Sequence, residues 1–355
     1  LTRLALATLA ERGELAGVEE ASCTAVRLAA LLHDVGHYPF SHSLEEAGFP
    51  HHEKLGVARL SGDDIATVLE SAGIQGLTGD IGRLITGTSN NPLGGLISGS
   101  LDLDKIEYLS RDAHMCGVPY GMVDVNRLLA ALTLVEVDGK LTVGVQDKGL
   151  SALESLLFAK YQMYRNVYWH HAVRSATCMF KRAVRATVAA GGLDLQAVSG
   201  YTDGALTERL MAADPTGLAR ALHNRRLFKR SLDLPASELP DEMPAWLSRD
   251  PDLLQRVEDY AARRVGLEPG ELLIDYPERE SMLALDLPLR TRTGSVERLT
   301  EAGREGELGL PRVADELYRS ARRLRIFVAR QPTRPVEQVL EYAVMSAEQI
   351  EAAVH

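Results

Sequence analysis

LLHDVGHYPFSH, residues 31–42, sets two leucines against a histidine–aspartate pair and follows them with His37 and His42. The preceding RLAALL, residues 27–32, has the apolar content of a buried helix. Ionisable groups at the end of such a helix need partners, because an isolated buried charge costs several kcal/mol. A divalent metal would satisfy His33 and Asp34 together, one through a neutral nitrogen and the other through an anionic oxygen. That donor mixture suits Mn, Fe, Ni or Zn better than Ca. Adjacent helical residues point about 100° apart, so both can reach one ion only where helices meet, and other elements must complete the shell. A His–Asp pair alone reads more readily as a core histidine bonded to its neighbour. Five of the ten histidines fall between His33 and His52, which tips the reading toward a metal. Gly36 and Pro39 break the helix beside the pair, placing a loop over it.

Working outward, the pattern is mostly helical. Helical spacing covers 1–15, 24–35, 55–72, 80–86, 101–114 and 123–132, and a long proline-free helix spans 151–190. Residues 134–145 instead alternate around Asp138-Gly139, which predicts a hairpin. Strands are expected at 272–275, 283–289 and 324–328, with a helix at 311–323 and a loosely attached helical tail at 332–355. The expected fold class is mainly α: a helical core over 1–230, with the short hairpin, and a small α+β lobe with the tail over 231–355.

A second cluster lies in LDLDKIEYLSRDAHMCGV, residues 101–118. Asp104, Tyr108 and Asp112 share one helix face at i, i+4 and i+8, with Lys105 and Arg111 beside them. That face suits a metal with sugar and phosphates, and equally a solvated surface.

The 355 residues are 45% hydrophobic and carry a net charge of −10, which argues against general nucleic-acid binding. Cys23, Cys116 and Cys178 are scattered and form no zinc or disulfide framework, as expected of a cytoplasmic chain. No apolar run is long enough for a membrane span.

Taken together, LLHDVGHYPFSHSLE, HHE at 51–53, LDLDKIEYLSRDAHMCGV and YRNVYWHHAV at 164–173 resemble the HD-domain phosphohydrolases, and within them the deoxynucleoside triphosphate triphosphohydrolases. The likeness runs through nearly the whole chain. It implies metal-dependent hydrolysis of dNTPs to deoxynucleoside and triphosphate, with Mn, Fe, Ni, Zn or Mg as the ion. It assigns the metal to His33, Asp34 and Asp104, with Asp102 the neighbouring alternative. It assigns catalysis to His52, His37, His42 and Glu45, with His51 as the ambiguity beside His52. Lys105, Tyr108, Asp112, Arg165, Tyr168 and His170 are implied to contact substrate, Tyr168 against the deoxyribose. A homodimer or homotetramer is implied, with no membrane or nucleic-acid partner.

The chain departs from the family pattern in two places. The family's first metal histidine lies upstream of the HD pair, and no histidine precedes His33, so the chain is expected to begin just past it. At the activator site of some relatives, Arg127 and Lys148 match, but Gln146 and Ala131 do not. Other HD phosphohydrolases, acting on a nucleoside monophosphate, a cyclic dinucleotide or an alarmone, are the alternative reading. A metal-free nucleotide-binding protein is the third.

Overall fold

The computed structural model describes residues 1–74, 76–277, 287–299 and 310–354, and it is mainly helical. The helices of the first half are α1 (Thr2–Glu11), α2 (Glu20–Leu32), α3 (His42–Glu45), α4 (His52–Leu60), α5 (Asp63–Ser71), α6 (Thr78–Ile85), α7 (Leu103–Cys116) and α8 (Val125–Ala131). Strands β1 (Leu132–Val137) and β2 (Lys140–Gln146) lead into α9 (Leu150–Met163) and α10 (His171–Ala189). Then come α11 (Leu195–Val198), α12 (Asp203–Ala213), α13 (Leu218–His223), β3 (Lys229–Pro235), α14 (Trp246–Arg249), α15 (Pro251–Arg264), β4 (Leu272–Asp275), β5 (Leu287–Arg290) and β6 (Val296–Leu299). The chain closes with α16 (Leu310–Ala321), β7 (Arg323–Val328), α17 (Val339–Ala343) and α18 (Ala347–Val354).

Two compact units share these elements. One takes Leu1–Gly36, His52–Met163 and Ser281–Leu317, and the other takes His37–His51, Tyr164–Glu280 and Tyr318–His355. This partition interleaves the units along the chain and differs from the expected cut at residue 230.

The first unit packs its helices around Leu9, Val26, Leu84, Leu96, Leu109 and Leu128, all essentially without exposure. Its sheet has the order β1-β2-β5-β6. The hairpin turns at Asp138 and Gly139, with φ 52° and 74°, the two left-handed residues that a tight turn between twisted strands requires. Local chemistry sets the helix that matters most. Asp102 accepts the Lys105 amide at 2.8 Å and starts α7, and Gly117, at φ 65°, ends it.

The second unit builds on a sheet of order β3-β7-β4, with β7 central. Leu324, Ile326 and Val328 of β7 pack with Val257 and Ala261 of α15. Asp250 and Pro251 start α15 as cap and first residue. The tail expected to be loose is part of this core: Val339 and Ile350 have no exposure, and the Trp246 indole N–H donates to the Met345 carbonyl at 2.9 Å. Apolar spacing within α17 and α18 was the signal that should have outweighed their terminal position.

Three further expectations change. The helix expected over 151–190 is two helices, α9 and α10, separated by a π-turn at Tyr164–Tyr168. Trp169 causes the break. Its amide reaches back to the Tyr164 carbonyl at 2.7 Å, and its buried indole stands edge-on to Tyr164 at 5.3 Å. The helix expected over 55–72 is likewise α4 and α5, parted at Gly62, whose backbone is extended. RLAALL is less buried than its composition suggests, since Leu31 is 74% exposed. Of the strand expected at 283–289, residues 283–286 lie outside the described residues, and β5 begins at Leu287.

Candidate functional site

In the first unit the HD pair sits where α2 ends. His33 is the helix cap residue, and its Nδ1 donates to the Ala30 carbonyl at 3.0 Å. With that proton committed, Nε2 is the nitrogen that turns outward. What it meets is anionic: Asp34 Oδ1 at 3.2 Å and Asp104 Oδ1, from α7, at 3.6 Å. Nε2 is buried and makes no hydrogen bond of acceptable geometry. An unprotonated nitrogen would set its lone pair against two carboxylates, so a proton or a metal cation must lie among them. Asp104 above all, together with Asp34, pushes the His33 pKa up to about 9 against the effect of burial. The three donors thus already demand positive charge. Donors each about 2.1 Å from one ion stand roughly 3.0–3.5 Å apart, so this set fits a divalent metal.

Gly36 holds the loop after the pair against α4. A side chain there would collide with the His52 carbonyl and with the backbone of Gly56. The Arg59 guanidinium also donates to the Val35 carbonyl. These contacts seat the start of α4, and hence His52, beside the HD turn. On α7, Lys105 is tied to Asp102 and to the Gly99 carbonyl at 3.3 Å, so its ammonium is ordered in advance. Asp102 therefore caps the helix and anchors Lys105. Asp104 is the one of the two that faces His33. Tyr108 and Asp112 follow on the same helix, both half-buried.

In the second unit, His37, His42 and Glu45 offer ligand atoms within 4.8 Å of one another, close enough to share a metal ion. The His37 and His42 rings stand edge to face at 5.0 Å. His42 Nδ1 lies 3.1 Å from Glu45 Oε2, a contact that orients the ring. His51, mostly exposed, reaches the same oxygen at 3.5 Å. The turn carrying His42 is entered through Phe40 and Ser41, both left-handed at φ 57° and 48°. Asp203 holds that strained entry by accepting the Phe40 amide at 3.0 Å. His42, Glu45 and His51 border a pocket that Lys181, Arg182, Leu254 and Tyr276 also line. Arg165 is exposed on the π-turn, and Tyr168 packs on Tyr164 at 5.0 Å. His170 serves as the cap of α10, its ring accepting the Ala172 amide at 3.4 Å.

Sequence reasoning missed the groups behind Glu45. Arg174 and Asp275, both buried, form an ion network with the more exposed Glu46 in this unit. Only the unusual Glu45-Glu46 doublet hinted at it.

Family comparison places an HD domain at residues 4–76 and an HD-associated region at residues 123–343. An uncharacterised protein of Methanocaldococcus jannaschii is 36% identical over 224 residues, 63% of this chain and 47% of that protein. Human deoxynucleoside triphosphate triphosphohydrolase SAMHD1 is 24% identical over 266 residues, 60% of this chain and 42% of that protein. The chain thus spans less than half the length of these curated relatives. A phosphohydrolase crystal structure from Bacteroides thetaiotaomicron shares the fold, with a TM-score of 0.67 at 18% identity over 93% of this chain and 85% of that one. No helix among the described residues is long and apolar enough to cross a membrane.

Proposed function

Since the chain belongs to the HD family, carrying an HD domain followed by an HD-associated region, we propose that it hydrolyses deoxynucleoside triphosphates to deoxynucleoside and triphosphate. The observation that supports this best is His33 Nε2, buried and facing two carboxylates with no hydrogen bond to either. The distant likeness to a named dNTP triphosphohydrolase narrows the substrate class.

His33, Asp34 and Asp104 would hold the divalent ion, of the Mn, Fe, Ni, Zn or Mg group. When bound, it supplies Lewis-acid polarisation of a phosphoryl oxygen and a more acidic water. The chain's own groups do the rest. In this reading His52 donates a proton to the leaving 5′-oxygen as general acid. His42, oriented by Glu45, and His37 beside it exchange protons with phosphate oxygens. Lys105 and Arg165 neutralise the tripolyphosphate, since such transfers rest on positioning and electrostatics. Tyr108 and Asp112 contact the nucleotide on the α7 side. Tyr168 packs against the sugar, leaving no room for a 2′-hydroxyl, and His170 contacts substrate beside it. The reading extends to a cytoplasmic homodimer or homotetramer without membrane or nucleic-acid partners.

Incubation with each dNTP and rNTP plus Mn²⁺, followed by chromatography, tests the proposal. The expected products are deoxynucleoside and triphosphate, with dNTPs preferred by about 10²-fold. Equal rates on ATP and dATP, or single phosphates released from a monophosphate, would move the protein to another phosphohydrolase class. Binding without turnover would leave a nucleotide-binding protein.

A further inference from the structure

Arg174 of α10 is buried, its side chain 5% exposed, and its guanidinium forks to two carboxylates. It donates to Asp275 of β4 at 3.1 and 3.0 Å through Nε and at 2.7 Å through Nη2. It also donates to Glu46, at 3.0 Å through Nη1 and 2.8 Å through Nη2. Lys181, further along α10, adds a third bond to Glu46 at 3.1 Å. Asp275, 1% exposed, already neutralises the buried arginine. Glu46 is different: its side chain is 35% exposed and could stand in water. Its capture balances the Lys181 charge and, at the same time, ties down the residue that ends α3.

What it fixes is residue 46, which ends α3. That helix is a single turn of four residues, with no side-chain cap at its start and two left-handed residues before it. One isolated turn is unstable by itself, because nucleation costs more than one hydrogen bond returns. The His42–Glu45 bond at 3.1 Å exists only while that turn is formed. Burial would raise the Glu46 pKa, but Lys181 and Arg174 more than offset it and hold the carboxyl well below the usual range.

We propose that Arg174 and Lys181, gripping Glu46, clamp the α3 turn and thereby position the His42–Glu45 pair for proton transfer. The inference rests on the reading of that pair as part of the hydrolytic machinery. Glu46, Arg174 and Lys181 are positioning residues, acting through His42. A displacement of about 1 Å in such a group can cost on the order of 10²-fold in rate.

Glu46→Ala is the decisive variant: Arg174 keeps Asp275, while Lys181 loses Glu46 and turns its partly exposed ammonium to water. Its kcat should fall about 10- to 100-fold, with KM changed less than about threefold. In a His42→Ala background the same substitution should cost nothing further, which a general loss of stability would not mimic. Independently of turnover, ¹⁵N spectra of the His42 imidazole should show the hydrogen-bonded Nδ1 in the wild type and lose it in Glu46→Ala. If Glu46→Ala fails to fold, Glu46→Gln, which keeps the shape and halves the grip, is read the same way. An unchanged kcat, an equal loss in the His42→Ala background or an unaltered His42 signal would each overturn the clamp. Wild-type protein inert toward every dNTP would overturn the functional reading instead, and the imidazole spectra would still decide the clamp.

Discussion

The His33–Asp34–Asp104 group and the Arg174–Asp275–Glu46 group are both built from charged residues brought together across long stretches of chain. They differ in their balance of charge. Around Arg174, cations and carboxylates alternate: Lys181 and Arg174 face Glu46, and Arg174 faces Asp275. Every charge there has an opposite within hydrogen-bond reach, and burial makes the pairing stronger. Around His33, two carboxylates face one imidazole nitrogen that has no hydrogen bond of its own. The first group is complete as it stands. The second has carboxylates in excess, which fits its proposed role as the metal site. Charged clusters should therefore be judged by what they lack.

The comparison breaks most visibly if Asp34→Ala leaves turnover intact. The expected result is a loss of about 10³-fold or more, since a metal centre contributes several kcal/mol to such reactions. The melting temperature of the metal-free protein should barely change, and metal analysis should show the ion gone. Chelation of the wild type should reproduce that loss and lower the melting temperature, because an ion at 100 times its Kd stabilises by about 2.7 kcal/mol.

Arg174→Ala should do the reverse. Removing one member of a balanced buried group leaves Asp275 with only the longer 3.7 Å pairing to Arg325, and losing a buried pair costs about 3–5 kcal/mol. Denaturant melts would show this, and metal binding by the surviving folded protein should be unaffected.

Glu258 is an intermediate case. It lies 3.5 Å from Arg182 and accepts the Ile274 amide at 2.8 Å, yet burial pushes its pKa up to about 7. A carboxyl raised in the folded state contributes stability that is full below its ordinary value and lost as pH rises through about 7. A rise from 4.5 to about 7 corresponds to about 3 kcal/mol at 1.36 kcal/mol per tenfold. Stability measured from pH 4.5 to 8 should carry this decline, and Glu258→Gln should flatten it.

The smallest expected effect belongs to His51. It touches Glu45 from an exposed position, so His51→Ala should slow turnover less than about threefold, while His52→Ala loses about 10²-fold or more. Comparable losses would show that the sequence ambiguity between the two histidines was resolved the wrong way.

Much of the molecule was legible from its sequence for identifiable reasons. The hairpin announced itself through Asp138-Gly139, because few pairs of residues accept two left-handed conformations in a row. The meeting of α2 with α7 could be anticipated because two clusters of ionisable residues each lacked partners of their own. The π-turn could not be read, since Tyr164, Trp169 and the helices around them satisfy helical spacing equally well. It depends on where an indole finds room, and that is settled in three dimensions. The same holds for the Arg174 network, whose members are separated by 128 and 101 positions and bear no local pattern.

The interleaving of the two units also has a consequence in time. In the first unit, β2 pairs in parallel with β5, Val145 opposite Leu289, and β6 pairs with β5 in turn. At a synthesis rate of about 5–20 residues per second, β2 waits roughly 7–30 s for its neighbour to be made. Until then the hairpin presents an unpaired edge, open to the strands of other nascent chains. Neither unit can be finished before nearly the whole polypeptide has emerged, so folding is expected to be late and cooperative. A chaperone that shields one β-edge on the ribosome would help this protein more than one that merely hastens collapse.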